Sequence, residues 1–417
     1  MVLRILIFLV SLLAYGSYGL PGLGCLAAAT AVSYLAARAY AKAPWLTWVS
    51  IAVTGASLVL LKLEPYTAWG LLAPMGVSYF TLRLISYNAD VAKGKIPPEV
   101  DFFRFALYAV YLPYMFIGPM EAYDPHRFDH PRFTWEGLFQ GAARILWGGF
   151  KKLVIAARIG VVIATVTGDT ETYRGLFALL AMLLYSVQLY ADFSGGIDMV
   201  LGVSRILGIS LSENFHTPYF AQSFQEFWRR WHMTLGTWLR NYIYIPLGGN
   251  RKGKLRKYIN TVITFLVSGY WHGAHYLLWG ALNGIFVCFG EKLKTRWKLL
   301  NRVTMFLAVS FLWAFFVWPN TGTALQMAAS VFTACDVEAF LAGFSALGLT
   351  LGDWIVLGGA CLILWLCDLR PRALGGWFAR LHPAAQTGLM AAMAMVILVF
   401  GMYGIGFNAA AFIYSQF

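Results

Sequence analysis

Long apolar runs, broken at short intervals by charge clusters and prolines, set the pattern of this chain. In the first half they cover residues 5 to about 18, 23–37, 45–61, 71–87, 102–117, 135–150, 153–166 and 176–190. Each reads as a membrane helix, because a helix satisfies every backbone N–H and C=O within its own segment. The first run is followed at once by another and lacks a small-residue cleavage pattern before Pro21. It therefore reads as a first membrane helix and not as a signal peptide. Arg38 and Lys42, Lys93 and Lys95, Lys151 and Lys152, and the acidic turn 169–171 lie between runs, and a polar loop is expected over 121–132. The run 197–209 is too short to span comfortably at about 1.5 Å per residue, so it reads as re-entrant or tilted.

The pattern changes at residue 224. Phe224, Phe227, Trp228, Trp231, Leu235, Trp238 and Leu239 fall on one face at helical spacing. Arg229, Arg230 and Arg240 occupy the rest of the circumference and His232 the border, which predicts one amphipathic helix at a membrane surface. Further on, the basic residues of 251–257 and Lys292, Lys294, Arg296 and Lys298 are expected in the cytoplasm. Between these clusters the chain goes in and returns. The outgoing limb, 258–270, gives roughly 20 Å of helix against a hydrocarbon core of about 30 Å, so the turn carrying His272 is expected at membrane depth. Run 305–318 then leaves the cytoplasm. A loop from Asn320 carries Asp336, Glu338 and Asp353, run 354–366 returns, and run 386–406 places the C-terminus outside. With no solvated linker or repeat, residues 1–417 read as a single all-α membrane domain of roughly eleven to thirteen helices.

Composition agrees. Hydrophobic residues make up 59% of the 417 and charged ones only 12%, with a mean hydropathy of +0.63, more apolar surface than one soluble core can hide. A net charge of +13 would suggest nucleic acid for a soluble protein. Here the cations sit in short loops between apolar runs, so the positive-inside rule and anionic lipid account for them and no nucleic-acid partner is expected. Cys25, Cys288, Cys335, Cys361 and Cys367 have no CxxC spacing and read as small buried hydrophobes.

Candidate chemistry centres on two Trp-His pairs. A histidine such as His272 is expensive within a bilayer unless it lines a polar cavity, and an imidazole, with a pKa of about 6.5, takes a proton from a hydroxyl near neutral pH. Gly269, Gly273, Gly280 and Gly284 permit close helix approach around it. His275 has no Cys or carboxylate nearby in sequence, so no metal site is expected.

Trp228-Arg229-Arg230-Trp231-His232, then Tyr244-Ile245-Pro246-Leu247-Gly248-Gly249-Asn250-Arg251, then Trp271-His272-Gly273 follow in that order. This series resembles the core of the membrane-bound O-acyltransferase (MBOAT) family, in the bacterial branch that includes the alginate-acetylating proteins. The resemblance runs from about residue 80 onward and is strongest over 189–284. It implies an MBOAT fold of helices around a central tunnel, in a bacterial cytoplasmic (inner) membrane. It also implies transfer of an acyl group to an extracytoplasmic polysaccharide, with acetyl-CoA as donor, no bound cofactor and an SGNH-hydrolase-like partner. D-alanyl transfer from a carrier protein to teichoic acid is the alternative within the family. A non-covalent transporter with a histidine proton relay is the alternative outside it; the lack of an inverted repeat and the scarcity of intramembrane acids argue against that.

His272 is the expected catalytic base, with His232 as a second group orienting donor or acceptor. Trp231 and Trp271 are placed with the substrate. Arg229 and Arg240 either snorkel to lipid headgroups or meet the phosphates of coenzyme A. Asn241 either donates to a developing oxyanion or caps a turn. Asp192, in a Tyr-Ala-Asp-Phe-Ser-Gly segment, is expected to hold a buried network. Over 412–417, a Phe-x-Tyr-x-x-Phe ending makes Tyr414 either part of an aromatic belt or the carrier of an acyl ester.

Overall fold

A computed structural model of the chain describes residues 2–67, 76–129 and 131–403. The first helices are α1 (Val2–Gly16), α2 (Leu20–Arg38), α3 (Trp45–Thr67) and α4 (Val77–Ala92). The run expected over 102–117 is two helices, α5 (Phe102–Val110) and α6 (Leu112–Phe116). The break falls at Tyr111, at φ −53° and ψ 112°, and Pro113 lies in the first turn of α6, where its missing N–H is tolerated. The loop after α6 is less exposed than its composition suggests: Glu121 is buried, accepting from Ser212 and pairing with Arg127 at 3.1 Å.

Helix α7 (Trp135–Phe150) runs through a π-helical turn over 151–156 into α8 (Ala157–Gly168), and both pack on α9 (Leu176–Ile206). α9 corrects the expectation of a separate short segment at 197–209. It continues unbroken for 31 residues, with 67% of its apolar window buried inside the protein. Its glycines are contact points with α7. A Cβ at Gly141 would come within 2.5 Å of the Gly202 carbonyl oxygen, and one at Gly195 within 2.8 Å of the Gly148 carbonyl oxygen. Only glycine lets the two backbones approach this closely, and that packing outweighs its poor helix propensity. The wider π turn directs two successive lysines at α9. Lys151 Nζ donates to Ser194 Oγ at 2.7 Å and also pairs with Asp198, while Lys152 Nζ meets Asp192 Oδ1 at 2.8 Å. Both lysines are buried, and Asp192 holds the buried network expected of it.

Beyond α9 come α10 (Phe224–Arg230), α11 (Met233–Leu239), α12 (Gly253–His272), α13 (Leu277–Phe289), α14 (Lys298–Leu312) and α15 (Ala314–Val317). The polar loop expected from Asn320 is instead α16 (Thr321–Thr333) and α17 (Val337–Gly343), bent through 116°. Asn320, Asp336 and Asp353 each mark a helix start. Asn320 Oδ1 accepts from Thr323 N and Asp336 Oδ1 from Ala339 N, both at 2.9 Å, and Asp353 closes a capping box with Thr350 ahead of α18 (Leu351–Leu369). Helices α19 (Pro371–Arg380) and α20 (Pro383–Phe400) follow.

Among the described residues, six helices are long and apolar enough to cross a membrane, seven if the bent pair is one span. The chain is an all-α, multi-pass membrane protein. In the end helices α18 and α20 only 17% and 6% of the apolar window is buried, which makes them the lipid-facing rim around α9. Of the cysteines, Cys288 is buried, Cys361 and Cys367 are half-buried, and Cys25 and Cys335 lie on the outer surface of the chain, unlike the expectation for all five.

Gly202→Leu is expected to force α7 from α9 and destabilise the protein by about 1–3 kcal/mol, the usual cost of overpacking. Gly358→Leu, on exposed α18 with nothing within 4 Å of its would-be Cβ, is expected to change little. Thermal unfolding of both variants in detergent, followed by size exclusion, checks the contrast; equal melting temperatures would refute it.

Candidate active site

The stretch 224–239 is amphipathic as expected, but it is not one helix. Ser223 caps α10 by accepting from Glu226 N, and α10 ends at Arg230. Trp231 is extended, and His232 adopts φ 44° and ψ 53°, a left-handed conformation. Such backbone costs an L-residue on the order of 1–3 kcal/mol and persists only where its surroundings impose it. Here segment 214–216 lies against the break: His216 N donates to Arg230 O and Met233 N to Asn214 O, each at 2.9 Å. α11 then restarts in a new direction.

The break sends the candidate side chains different ways. Trp231 is buried, stacked on Phe227 with centroids 5.5 Å apart and tilted against Trp313 at 5.4 Å. Arg230 is structural: it pairs with Glu226 in its own helix and donates to Thr217. Arg229 and Arg240 are left for the cavity described below.

His272 closes α12. The helix starts at Gly253, earlier than the limb 258–270, so Lys254, Arg256 and Lys257 form its exposed first turns. Gly273, at φ 151° and ψ 156°, stops α12 in a conformation open to glycine alone and sends the chain back as α13. The hairpin is tight. A Cβ at Gly269 would lie 2.5 Å from the Tyr276 carbonyl oxygen and one at Gly284 would lie 2.9 Å from Val262 Cα, so the expected close approach is present. The His272 ring is ringed by Trp271, Phe316 and Trp279 at centroid distances of 4.8, 5.4 and 5.7 Å. Trp271 also lies 6.3 Å from the His232 ring, so one indole packs against both imidazoles. Its Nε1 donates to Ser78 O at 3.3 Å, which fixes the hairpin to α4.

A cavity of about 490 Å³ opens between α10, α11, α12 and α13. His232, His272, Arg229, Trp231 and Arg240 all line it. Trp271 and Asn241 are not among the lining residues; Trp271 packs behind the histidines and Asn241 sits in the π-helical turn 240–244. Tyr414 lies outside the described residues. Lys257, from the basic run 251–257, also lines the cavity, and so do Cys288, Trp279 and Trp313, which sequence reasoning missed. The last three sit in uniformly apolar runs where nothing distinguishes a lining residue from a packed one. The result is an aromatic chamber holding two imidazoles, with three cations on its wall.

The family model for membrane-bound O-acyltransferases matches residues 45–332, a stretch that includes both histidines and begins upstream of residue 80. The chain belongs to the MBOAT family. A probable alginate O-acetylase of Pseudomonas syringae pv. tomato is 35% identical over 297 residues, 67% of this chain and 56% of that protein. A peptidoglycan O-acetyltransferase of Helicobacter pylori is 31% identical over 299 residues, 62% of this chain and 56% of the relative. A teichoic acid D-alanyltransferase of Bacillus subtilis is 26% identical over 304 residues, 66% of this chain and 77% of the relative. This MBOAT chain therefore spans little more than half the length of the first two.

The cations on the wall predict a measurable field at Cys288. In a variant keeping Cys288 as its only cysteine, an anionic methanethiosulfonate reagent is expected to react several-fold faster than a cationic one, with the difference shrinking as salt rises. Arg240→Glu is expected to narrow or invert the ratio. Equal rates for the two reagents before that substitution would remove Arg229, Arg240 and Lys257 as the source of a field there.

Proposed function

We propose that this MBOAT protein moves an acetyl group from cytoplasmic acetyl-CoA across a bacterial inner membrane for O-acetylation of an extracytoplasmic polysaccharide. The observation that carries the reading is the single cavity in which both histidines and three cations meet. Coenzyme A is a polyanion, so its phosphates suit Arg229, Arg240 and Lys257, and the thioester suits the aromatic interior. The exposed basic turns at the start of α12 put that side of the cavity toward the cytoplasm under the positive-inside rule.

In the chemical step, His272 takes the proton of an attacking hydroxyl as its oxygen bonds to the thioester carbonyl carbon. The carbon–sulfur bond breaks, and the coenzyme A thiolate leaves with the proton returned by the imidazolium. With the Tyr414 phenol as that hydroxyl, the acetyl group rests on its oxygen as an ester and is passed outward from there. Tyr414 is the proposed carrier: a phenol with a pKa of about 10 forms an ester still reactive toward an alcohol. The serine hydroxyl of an SGNH-hydrolase-like partner then attacks that ester, the bond to the Tyr414 oxygen breaks, the phenol leaves with the serine's proton, and the partner delivers the acetyl group to the polymer. The alginate and peptidoglycan O-acetylating relatives support acetyl as the group moved.

His272→Ala is expected to insert normally and to lower polymer-bound acetyl by about 10²-fold or more, the usual weight of a general base. Acetyl content near wild type at equal expression would refute the base assignment. Polymer-bound D-alanine in place of acetyl would favour the D-alanyl reading. Tyr414→Phe keeps the ring and removes only the hydroxyl. It is expected to abolish polymer acetylation while binding of acetyl-CoA persists, and full acetylation by this variant would eliminate the relay.

A further inference from the structure

The buried side-chain oxygen of Asn214 sits among three hydrogen-bond donors whose roles its own chemistry fixes. Asn214 is fully buried and precedes the ring of Phe215, which packs on Trp231 at 5.1 Å. Its Oδ1 accepts from the backbone N–H of Thr234 at 3.1 Å. A backbone N–H is an obligate donor, so this bond fixes which end of the amide is oxygen. Thr234 Oγ1 lies 2.7 Å from the same Oδ1 and already accepts from Met120 N at 2.9 Å, so its own hydrogen points at Asn214. The remaining neighbour of Oδ1 is His232 Nδ1 at 3.2 Å. An acceptor oxygen facing a ring nitrogen requires that nitrogen to carry the proton.

The geometry points to Asn214 as a positioning residue that holds neutral His232 with its proton on Nδ1 and its lone pair on Nε2. The backbone reinforces the arrangement, since Asn214 O accepts from Met233 N and thereby imposes the left-handed turn at His232. The segment is itself tied down: Glu213, the preceding residue, receives a two-pronged grip from Arg144, with Nη1 2.7 Å from Oε1. Resting on the function proposed above, this assigns the second histidine a side of the reaction. A lone pair at Nε2 accepts a hydrogen bond, so His232 addresses the hydroxyl of the acyl acceptor. The thioester carbonyl, which needs a donor, is not its partner. His232 and His272 thus act on the same nucleophile, one orienting it and the other taking its proton.

The direct test is ¹⁵N spectroscopy of the full chain in nanodiscs with labelled histidine. His232→Asn identifies the His232 signals among the seven histidines by difference, and asparagine tolerates the left-handed backbone. The expected result is a protonated, pyrrole-type Nδ1 and an unprotonated, pyridine-type Nε2 in the neutral ring; the reverse tautomer overturns the inference. Asn214→Leu, which removes the acceptor, is expected to mix the tautomers and lower kcat by about 10²-fold or more with little change in KM for acetyl-CoA. Asn214→Asp, which keeps acceptor oxygens, is expected to restore the Nδ1–H form and much of the rate. A role in packing alone predicts no change of tautomer with Leu and no rescue by Asp. If the intact protein transfers no acetyl group, the functional reading falls, and the spectrum still decides how Asn214 holds the ring.

Discussion

In a chain this apolar, a backbone group that loses its helical partner must find another within the protein, because lipid offers none. The functional core exists where that demand is met at a break. Between α10 and α11 the helix is interrupted for two residues, and segment 214–216 supplies the missing bonds through Asn214 O and His216 N. Without that segment the left-handed turn at His232 would lose the bonds that impose it, and a continuous helix would leave the imidazole at the border of its apolar face. The same demand governs charge. Lys151 and Lys152, buried on the π turn, are tolerable because Asp192, Ser194 and Asp198 stand opposite them.

Much of this was legible from residue order. Apolar runs located most membrane helices, and the wheel through 224–239 picked out the side chains that end up inside: Phe224, Phe227, Trp231, Leu235, Trp238 and Leu239 are all buried. The wheel failed at its centre. Nothing local marks Trp231-His232 as a break, since the bonds that make it come from residues 214 and 216, and a periodicity reads only its own window. The stretch from Asn320 failed for the opposite reason. Asn320, Asp336 and Asp353 are the local signatures of helix starts, but spread among apolar residues they resemble a solvated loop. The run 197–209 failed in a third way: judged by its own length it looked too short to span, whereas it is the end of α9, packed on α7 through Gly195 and Gly202.

The site was legible in kind and less so in detail. Five of the residues singled out line one cavity, which is the strongest return from motif spacing. Trp271 proved to be a shared wall behind the two imidazoles, a role that needs both rings to be placed before it can be seen. Asn214 carried no sequence signal at all. A buried asparagine in a short connecting segment resembles any turn residue until the three donors around its oxygen are known.

The glycine contacts between α7 and α9 also have a mechanical meaning. Gly141 and Gly148 meet Gly202 and Gly195, so the rungs are spaced seven residues apart on both helices. Seven residues bring a helix nearly back to the same face, which is why both rungs engage at once. Sliding one helix along the other can restore a rung only after a jump of about 10 Å, and then only one of the two. The pair is therefore a keyed rail with a single stop. The α12–α13 hairpin is keyed by the same kind of contact, through Gly269, Gly280 and Gly284, so both pairs hold their register as rigid units around the cavity.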